Sequence, residues 1–179
     1  MCSCNRGHNE VRDDVFTFAS AIDGTTELEP LGLIGSQPLL RPADLLTSAT
    51  SDGRLTAVDV GIISPDAAGA GEDCVTSMTN RKIERYRPFE RELEAEGVRY
   101  QPAVWSAYGR PSEAALALIR SIARRSARRS GNDNSNAIAR RFQDRVGLEI
   151  WRRAARMVRA CMPLEQEIQI TDDSDSEAE

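Results

Sequence analysis

Lysine is almost absent from this 179-residue chain. Only Lys82 is a lysine, and the other 22 of its 23 basic residues are arginines. Arginine carries a bulky fork that does not lose its proton, whereas lysine is a compact point charge. A lysine retained in so arginine-rich a sequence is a candidate functional residue, with chance as the alternative.

Long apolar runs are also missing. No segment reaches the roughly 20 apolar residues of a membrane-spanning helix, and the N-terminus has no signal-peptide pattern. With 40% hydrophobic residues, the chain has enough apolar side chains for one core. We therefore expect an intracellular protein, nuclear or cytoplasmic, with one domain plus a tail and no membrane partner.

Cysteine and histidine are scarce, and several of them lie at the start of the chain. Cys2 and Cys4 are followed by His8, the only histidine. Thiolate and imidazole are the usual zinc ligands, but the Cys-x-Cys spacing is not the common one and no second pair follows. Zinc is therefore not expected, and residues 1–8 are interpreted as a truncated remnant of a Cys/His site.

Charge is distributed unevenly along the chain. Between Arg120 and Arg159 there are 12 arginines and 3 acidic residues, whereas residues 163–179 contain 7 acidic residues and no basic ones. Such asymmetry is typical of nucleic-acid-binding proteins with an acidic tail. Guanidinium groups bind phosphates independently of sequence, although solvated helix faces are an alternative explanation. The candidate nucleic-acid-binding residues are Arg120, Arg124, Arg128, Arg140 and Arg141.

Apolar periodicity and turn residues predict alternating helices and strands. The expected fold is α/β (α+β), with an α-βββ-α-β core, a mixed sheet flanked by helices, and Arg-rich helices at the C-terminal end. Pro88 should kink the second helix or start a new segment, and Pro102 indicates that the last strand is an edge strand or bulged. Ser112 should cap the next helix. The predicted elements are helix 9–22, strands 25–28, 42–47 and 55–63, helix 78–96, strand 98–105, helix 112–129 and helix 137–161.

Composition divides the chain into four parts. A core domain follows the short Cys/His segment, and a basic helix and a disordered acidic tail follow the core. The expected boundaries are 1–8, 9–130, 131–162 and 163–179.

Two neighbouring predicted strands each contain an aspartate, although aspartate is depleted in strand interiors. Asp44 lies in one arm of a hairpin and Asp59 in the other, with the turn signal Asp52-Gly53 between them. A turn centred there opposes residues whose numbers sum to 105, so that Leu46 faces Asp59. The two aspartates would then share a face, roughly 7–8 Å apart on the diagonal. A one-residue shift in register would place them on opposite faces.

Two carboxylates held on rigid strands are suited to share a magnesium ion. Magnesium takes oxygen ligands and is typically held by one or two carboxylates together with substrate phosphate oxygens. Such an ion activates water and offsets charge on a phosphodiester, and a nearby lysine would stabilise the same charge. The alternative is that Asp44 and Asp59 are hydrogen-bonded or edge-exposed residues without a catalytic role.

Seven sequence pieces, taken in order, resemble a known nuclease family. They are "CSCNRGHNEVRD", "ELEPLGLI", "RPADLL", "AVDVGIISP", "RKIERY", "GVRYQPAVWSAYG" and "RRFQDRVGLEIWRRAARMVRAC", and together they span roughly residues 2–161. With the α-βββ-α-β order, they resemble the PD-(D/E)XK (restriction-endonuclease-like) fold. More specifically, they resemble the C-terminal segment of reverse-transcriptase-like polyproteins of non-LTR retrotransposon-type elements.

The resemblance implies roles for individual residues. Asp44 corresponds to the aspartate of the "PD" half and Asp59 to the acid of the second half, so that both would be metal ligands. The family pattern has a lysine two residues later, where Gly61 stands. Some members place the catalytic lysine on the following helix, which makes Lys82 the candidate.

Two further acids enter through the same resemblance. Many members carry an acid on the first helix, for which Asp13 is the candidate, with Glu10 close to it. Glu29, at the end of the first strand, is a further implied metal ligand.

The expected function is that of a retroelement-derived, Mg²⁺-dependent DNA endonuclease-like domain. The glycine at position 61 leaves open whether catalytic activity is retained. Two alternatives are a non-catalytic nucleic-acid-binding module that uses the arginine helices, and an element-derived remnant without a function.

Overall fold

The computed structural model describes residues 4–131 and 134–161, in which helices and strands follow the predicted order. Cys2 and the predicted acidic tail lie outside these residues. The elements are α1 (Cys4–Ser20), β1 (Glu27–Leu28), β2 (Leu45–Thr47), β3 (Thr56–Ile63), α2 (Cys74–Tyr86), a 3-10 turn (Arg87–Phe89), α3 (Glu90–Ala95), β4 (Arg99–Ser106), α4 (Glu113–Ser130) and α5 (Ser135–Cys161).

The four strands form one mixed sheet in the order β1-β2-β3-β4. The pairs β1–β2 and β2–β3 are antiparallel, whereas β3 and β4 are parallel over eight residue pairs. The segment containing α2 and α3 makes the crossover between the parallel strands, as such connections require. The predicted α/β fold with a mixed sheet is therefore confirmed.

The hairpin register differs from the predicted one by two residues. Leu45 pairs with Val58 and Leu46 with Ala57, so that opposed residues sum to 103 rather than 105. The turn is centred one residue earlier than expected, because the N–H of Gly53 donates to the carbonyl of Thr50. A shift by an even number of residues leaves every side chain on its original face.

Several element boundaries also differ from the prediction. Helix α1 begins at Cys4 rather than at residue 9, and α2 begins at Cys74 rather than at residue 78. The second predicted helix is divided at Pro88 into α2, the 3-10 turn and α3, since proline lacks the N–H that a helix interior requires. Ser112 caps α4 by accepting a hydrogen bond from the N–H of Ala115, as expected.

Helices cover both faces of the sheet. One face contributes Val58 and Val60 to a core cluster with α1, α4 and α5, while the other contributes Ala57 to a cluster with Tyr86 and Leu93. Helix α5 packs into the first cluster through Phe142 and three further residues, so that it shares its core with α1 and β3. Those three are Ala139, Val146 and Ile150.

Within the described residues, none of the helices combines the length and the apolar character needed to cross a membrane.

Candidate active site

Strand β3 extends beyond the end of β2, and this leaves the backbone of Val60 at an open sheet edge. The β2–β3 ladder reaches only to the pair of Leu45 and Val58. The N–H and C=O groups of a strand need partners when they are partly buried. At Val60 these partners are side chains from three different segments of the chain, and that convergence defines the candidate site.

Asp44, immediately before β2, supplies the first of these partners. Its Oδ2 atom accepts a hydrogen bond from the N–H of Val60 at 2.7 Å. His8 of α1 approaches the same two residues, with Nε2 donating to the Val60 carbonyl at 3.1 Å and lying 3.3 Å from Asp44 Oδ2. The hydrogen bond to Asp44 raises the pKa of His8 above its ordinary value, although burial acts in the opposite direction.

Lys82 and Asp59 supply the second half of the site. The Nζ atom of Lys82 donates to Asp59 Oδ1 at 2.5 Å and to the Val60 carbonyl at 3.0 Å. Both side chains are 15% exposed. Asp44, Asp59 and Lys82 were predicted to lie together. In the structure, Asp44 and Lys82 both bind the backbone of Val60, and Lys82 also binds Asp59.

Tyr100 of β4 fixes the other oxygen of Asp59. Its hydroxyl donates to Asp59 Oδ2 at 2.6 Å. Burial, followed by the negative charge of Asp59 and this hydrogen bond, raises the pKa of Tyr100 far above its ordinary value. The phenol therefore stays protonated, and both oxygens of Asp59 are held by donors.

Helix α2 is anchored so that Lys82 lies over β3. Asp73 caps the helix by accepting from the N–H groups of Val75 and Thr76. Cys74 and Val75 pack against Ile63 of β3 in a third core cluster. Helical residues seven positions apart share a face. Val75 faces the sheet, so Lys82, seven residues later on the same helix, faces it as well.

Gly61 makes room for the lysine. A Cβ atom at position 61 would lie 2.8 Å from Lys82 Cε and 3.6 Å from Lys82 Nζ. The first distance is too short for two carbon atoms in contact. The side chain of Lys82 thus occupies the space beside the position where the family pattern has its lysine.

The other predicted site acids are held by arginines. Asp13 is bound by Arg12 of the same helix at 2.8 Å, and its side chain is 56% exposed. Glu29 is bound by Arg12 and by Arg41. Among the described residues, neither the Asp13 nor the Glu29 carboxylate contacts Asp59 or Lys82. The backbone N–H of Glu29 does donate to the Asp44 carbonyl, at 2.7 Å.

The predicted nucleic-acid-binding arginines lie on exposed parts of α4 and α5. In the described part of the chain they form no ion pairs. Other arginines of α5 do: Arg145, Arg152 and Arg156 pair with Asp14, Glu149 and Glu10, respectively. These exposed residues, without an ion-pair partner among those that the structure describes, are Arg120, Arg124, Arg128, Arg140 and Arg141.

Sequence reasoning missed two members of the site. His8 was assigned to a Cys/His remnant. In the structure it lies in α1, four residues after the helix begins and one helical turn before Arg12, and this helical position argues against the assignment. Tyr100 is paired with Ala57 in the parallel ladder, so it shares a face with Asp59. That relation follows only once the β3–β4 register is known.

A cavity of about 540 Å³ is lined by residues of α2, α3 and β4. It is lined by Ile83, Tyr86, Arg99 and Tyr100, among others. Asp44, Asp59 and Lys82 do not line it. We therefore assign the candidate chemistry to the sheet edge rather than to this cavity.

The donor set at the sheet edge fits a hard divalent cation. Asp44 and Asp59 supply carboxylate oxygen, which is the ligand type that magnesium takes while keeping several waters. The Val60 carbonyl already accepts from His8 and Lys82. Within residues 4–131 and 134–161, no group of three His, Cys, Asp or Glu side chains is arranged to hold a metal ion. Magnesium would therefore depend on water and substrate oxygens in addition to Asp44 and Asp59.

The fold and the site define an α/β protein with two aspartates and one lysine at the open edge of a mixed sheet. Comparison of the chain with protein-family models and with curated proteins finds no match.

Proposed function

We propose that this protein is a Mg²⁺-dependent, endonuclease-like enzyme that hydrolyses DNA phosphodiester bonds, of the retroelement-derived PD-(D/E)XK type. The observation that carries the proposal is that Asp44 and Lys82 both bind the backbone of Val60, while Lys82 also binds Asp59. Two carboxylates and one amine, all at least four-fifths buried, are expensive to desolvate and are typical of functional sites.

The division of labour follows from the contacts. Asp44 and Asp59 would hold the magnesium ion, together with water and substrate oxygens. When bound, the ion lowers the pKa of water and offsets negative charge on the phosphate. Lys82 would donate to a nonbridging phosphate oxygen, since its ammonium group lies beside both Asp59 and Val60.

Tyr100 and His8 are positioning residues in this proposal. Tyr100 orients the Asp59 carboxylate through its hydroxyl. His8 contacts Asp44 and the Val60 carbonyl from the side opposite Lys82's helix, because α1 and α2 pack on different faces of the sheet.

The decisive experiment is cleavage of supercoiled plasmid DNA with and without Mg²⁺. Wild-type protein should nick the plasmid, and Asp59→Asn and Asp44→Asn should each abolish nicking. Asp66→Asn, in the exposed loop after β3, is the matched control and should cleave like wild type. Nicking that survives Asp59→Asn would disprove the assignment.

A second candidate function is DNA binding without cleavage. The observation that favours it is the set of exposed arginines on α4 and α5 that lack acidic partners among the described residues. Retention of duplex DNA that weakens with salt, combined with no Mg²⁺-dependent nicking, would support it. A chain that neither retains nor nicks DNA would fit the remnant alternative.

A further inference from the structure

Glu29 has an unusual backbone conformation beside the candidate site. Its φ angle is 49°, and it is the one non-glycine residue with positive φ in the described ranges 4–131 and 134–161. Glutamate adopts the left-handed region only at a cost in free energy, and such residues cluster at functional sites. The same residue donates its N–H to the Asp44 carbonyl at 2.7 Å, so its backbone lies directly against the proposed metal-ligand segment.

The Glu29 carboxylate is clamped between two arginines. Its Oε1 accepts from Arg12 Nη1, and its Oε2 accepts from Arg41 Nη1. Arg12 is only 12% exposed, whereas Arg41 is 54% and Glu29 39% exposed. Arg12 is thus nearly buried, whereas Arg41 and Glu29 are accessible to solvent, so that a larger anion can approach the two guanidinium groups.

The chemistry of this clamp matches a phosphate. Two guanidinium groups that converge on the two oxygens of one anion form the arrangement by which arginines recognise phosphate as well as carboxylate. Asp13 binds Arg12 at Nε and Nη2, at 2.9 and 2.8 Å, which leaves Nη1 as the group directed at Glu29. Arg12 is therefore oriented for an acceptor at the position of the Glu29 carboxylate.

We propose that Arg12 and Arg41 form a binding subsite for a DNA backbone phosphate adjacent to the metal site, and that the Glu29 carboxylate occupies this subsite in the DNA-free protein. Glu29 acts as an internal competitor, which leaves when the phosphate enters. The identification of DNA as the ligand rests on the proposed function, whereas phosphate as the chemical class rests on the clamp. This role differs from the metal-ligand role that the resemblance implies for Glu29.

The competitor role predicts a specific pattern of binding. Removal of the carboxylate charge frees Arg41 and the Nη1 group of Arg12 for another anion, while Asp13 still binds the rest of Arg12, so DNA should bind more tightly. One added phosphate contact makes log K against log salt steeper by about 0.9, which is roughly an eightfold gain at 0.1 M salt relative to 1 M. Loss of Arg41 should weaken binding and remove the benefit of the Glu29 substitution.

The experiment measures fluorescence anisotropy of a labelled DNA duplex in EDTA, over a series of salt concentrations. The variants are Glu29→Gln, Arg41→Gln and the double variant, and Glu27→Gln, exposed in β1, is the matched control. Glu29→Gln should bind several-fold tighter than wild type, Glu27→Gln should not, and the double variant should equal Arg41→Gln. Thermal melts verify that each variant is folded.

The inference is overturned if Glu29→Gln binds no better than Glu27→Gln, or if its gain persists in the double variant. EDTA removes the metal, so a metal-ligand role for Glu29 would produce no Arg41-dependent gain. If wild-type protein does not bind DNA, thermal shift with inorganic phosphate against chloride at equal ionic strength decides. Stabilisation of Glu29→Gln that requires Arg41 retains the phosphate subsite and rejects DNA as the ligand; absence of stabilisation rejects both.

Discussion

The Cε atom of Lys82 lies 2.8 Å from the place that a Cβ atom at Gly61 would take. The ammonium group therefore reaches Asp59 from helix α2 through a space that a side chain on β3 would otherwise fill. The glycine leaves the space that the end of the Lys82 side chain occupies. In the PD-(D/E)XK pattern that the sequence resembles, a lysine stands at this position instead.

This relationship predicts the behaviour of substitutions at both positions. Lys82→Ala should lower the rate of plasmid nicking by about 100-fold or more, since loss of one group that stabilises transition-state charge has that effect. Gly61→Ala should lower nicking as well, because the new methyl group displaces the end of the Lys82 side chain. Its melting temperature should change little, since the displaced group is flexible.

The double variant Gly61→Lys/Lys82→Ala provides the sharper comparison. It moves the amine to position 61, where the PD-(D/E)XK pattern has its lysine. It also removes the Lys82 side chain from the space that a side chain at position 61 requires. Nicking should recover to well above the level of Lys82→Ala. Equal activity of the double variant and Lys82→Ala, in folded proteins, would count against a charge-stabilising role for the amine.

Tyr100→Phe tests the hydrogen bond to Asp59 without changing the size of the ring. The hydroxyl donates to a carboxylate at 2.6 Å, so its loss should lower the free energy of unfolding by about 1–2 kcal/mol. Nicking should fall by roughly tenfold, because a misoriented ligand costs about that much in metal affinity or activity. Urea denaturation and the Mg²⁺ dependence of nicking measure the two effects.

Tyr108→Phe is the control, since Tyr108 is 62% exposed and lies in the turn after β4. It should leave both quantities unchanged. A Tyr100→Phe variant with wild-type Mg²⁺ dependence and activity would show that Asp59 needs no second donor.

The sequence allowed the fold class to be predicted, because the helix and strand signals that define it are local. Helix α4 was predictable because Ser112 caps it and Gly131 ends it in the left-handed conformation that glycine favours. The predicted hairpin register was wrong by two residues, which leaves the faces of the paired residues unchanged. The register itself depends on the turn hydrogen bond from Gly53 to Thr50, which no residue pattern specified.

The rest of the site depends on tertiary contacts that act over long sequence separations. His8 is 52 residues from Val60 and Tyr100 is 41 residues from Asp59. Propensity and periodicity report only local structure, so neither contact could be predicted. The ion pairs of Glu29 with Arg12 and Arg41 were missed for the same reason.

The Asp23 carboxylate makes the free energy of unfolding depend on pH under acidic conditions. It is 8% exposed, and its carboxylate accepts hydrogen bonds from Thr25, Thr47 and the N–H of Ser48. Burial acts to raise the pKa of Asp23, but these hydrogen bonds outweigh burial and hold it well below its ordinary value. A lowered folded-state pKa means that the carboxylate contributes stability above its unfolded-state pKa of about 3.9 and loses it as pH falls further.

Asp23→Ala should therefore lower the free energy of unfolding at pH 7 by about 3 kcal/mol, since several buried hydrogen bonds to a charged group are lost. The deficit relative to wild type should shrink as the pH falls below about 4. Urea denaturation between pH 3 and pH 7 measures this, with Asp66→Ala as the exposed control. A deficit that stays constant with pH would contradict the assignment to the ionised carboxylate.

The exposed arginines of α4 should contribute to DNA affinity through counterion release. Arg124 and Arg128 have no acidic partner among the described residues, whereas Arg152 is paired with Glu149 at 2.5 Å. Arg124→Gln and Arg128→Gln should each make log K against log salt shallower by about 0.9. Arg152→Gln should have a smaller effect, because Glu149 already compensates its charge. Anisotropy titrations at 50–200 mM salt measure the slopes, and equal slopes for all three variants would place the DNA away from this face of α4.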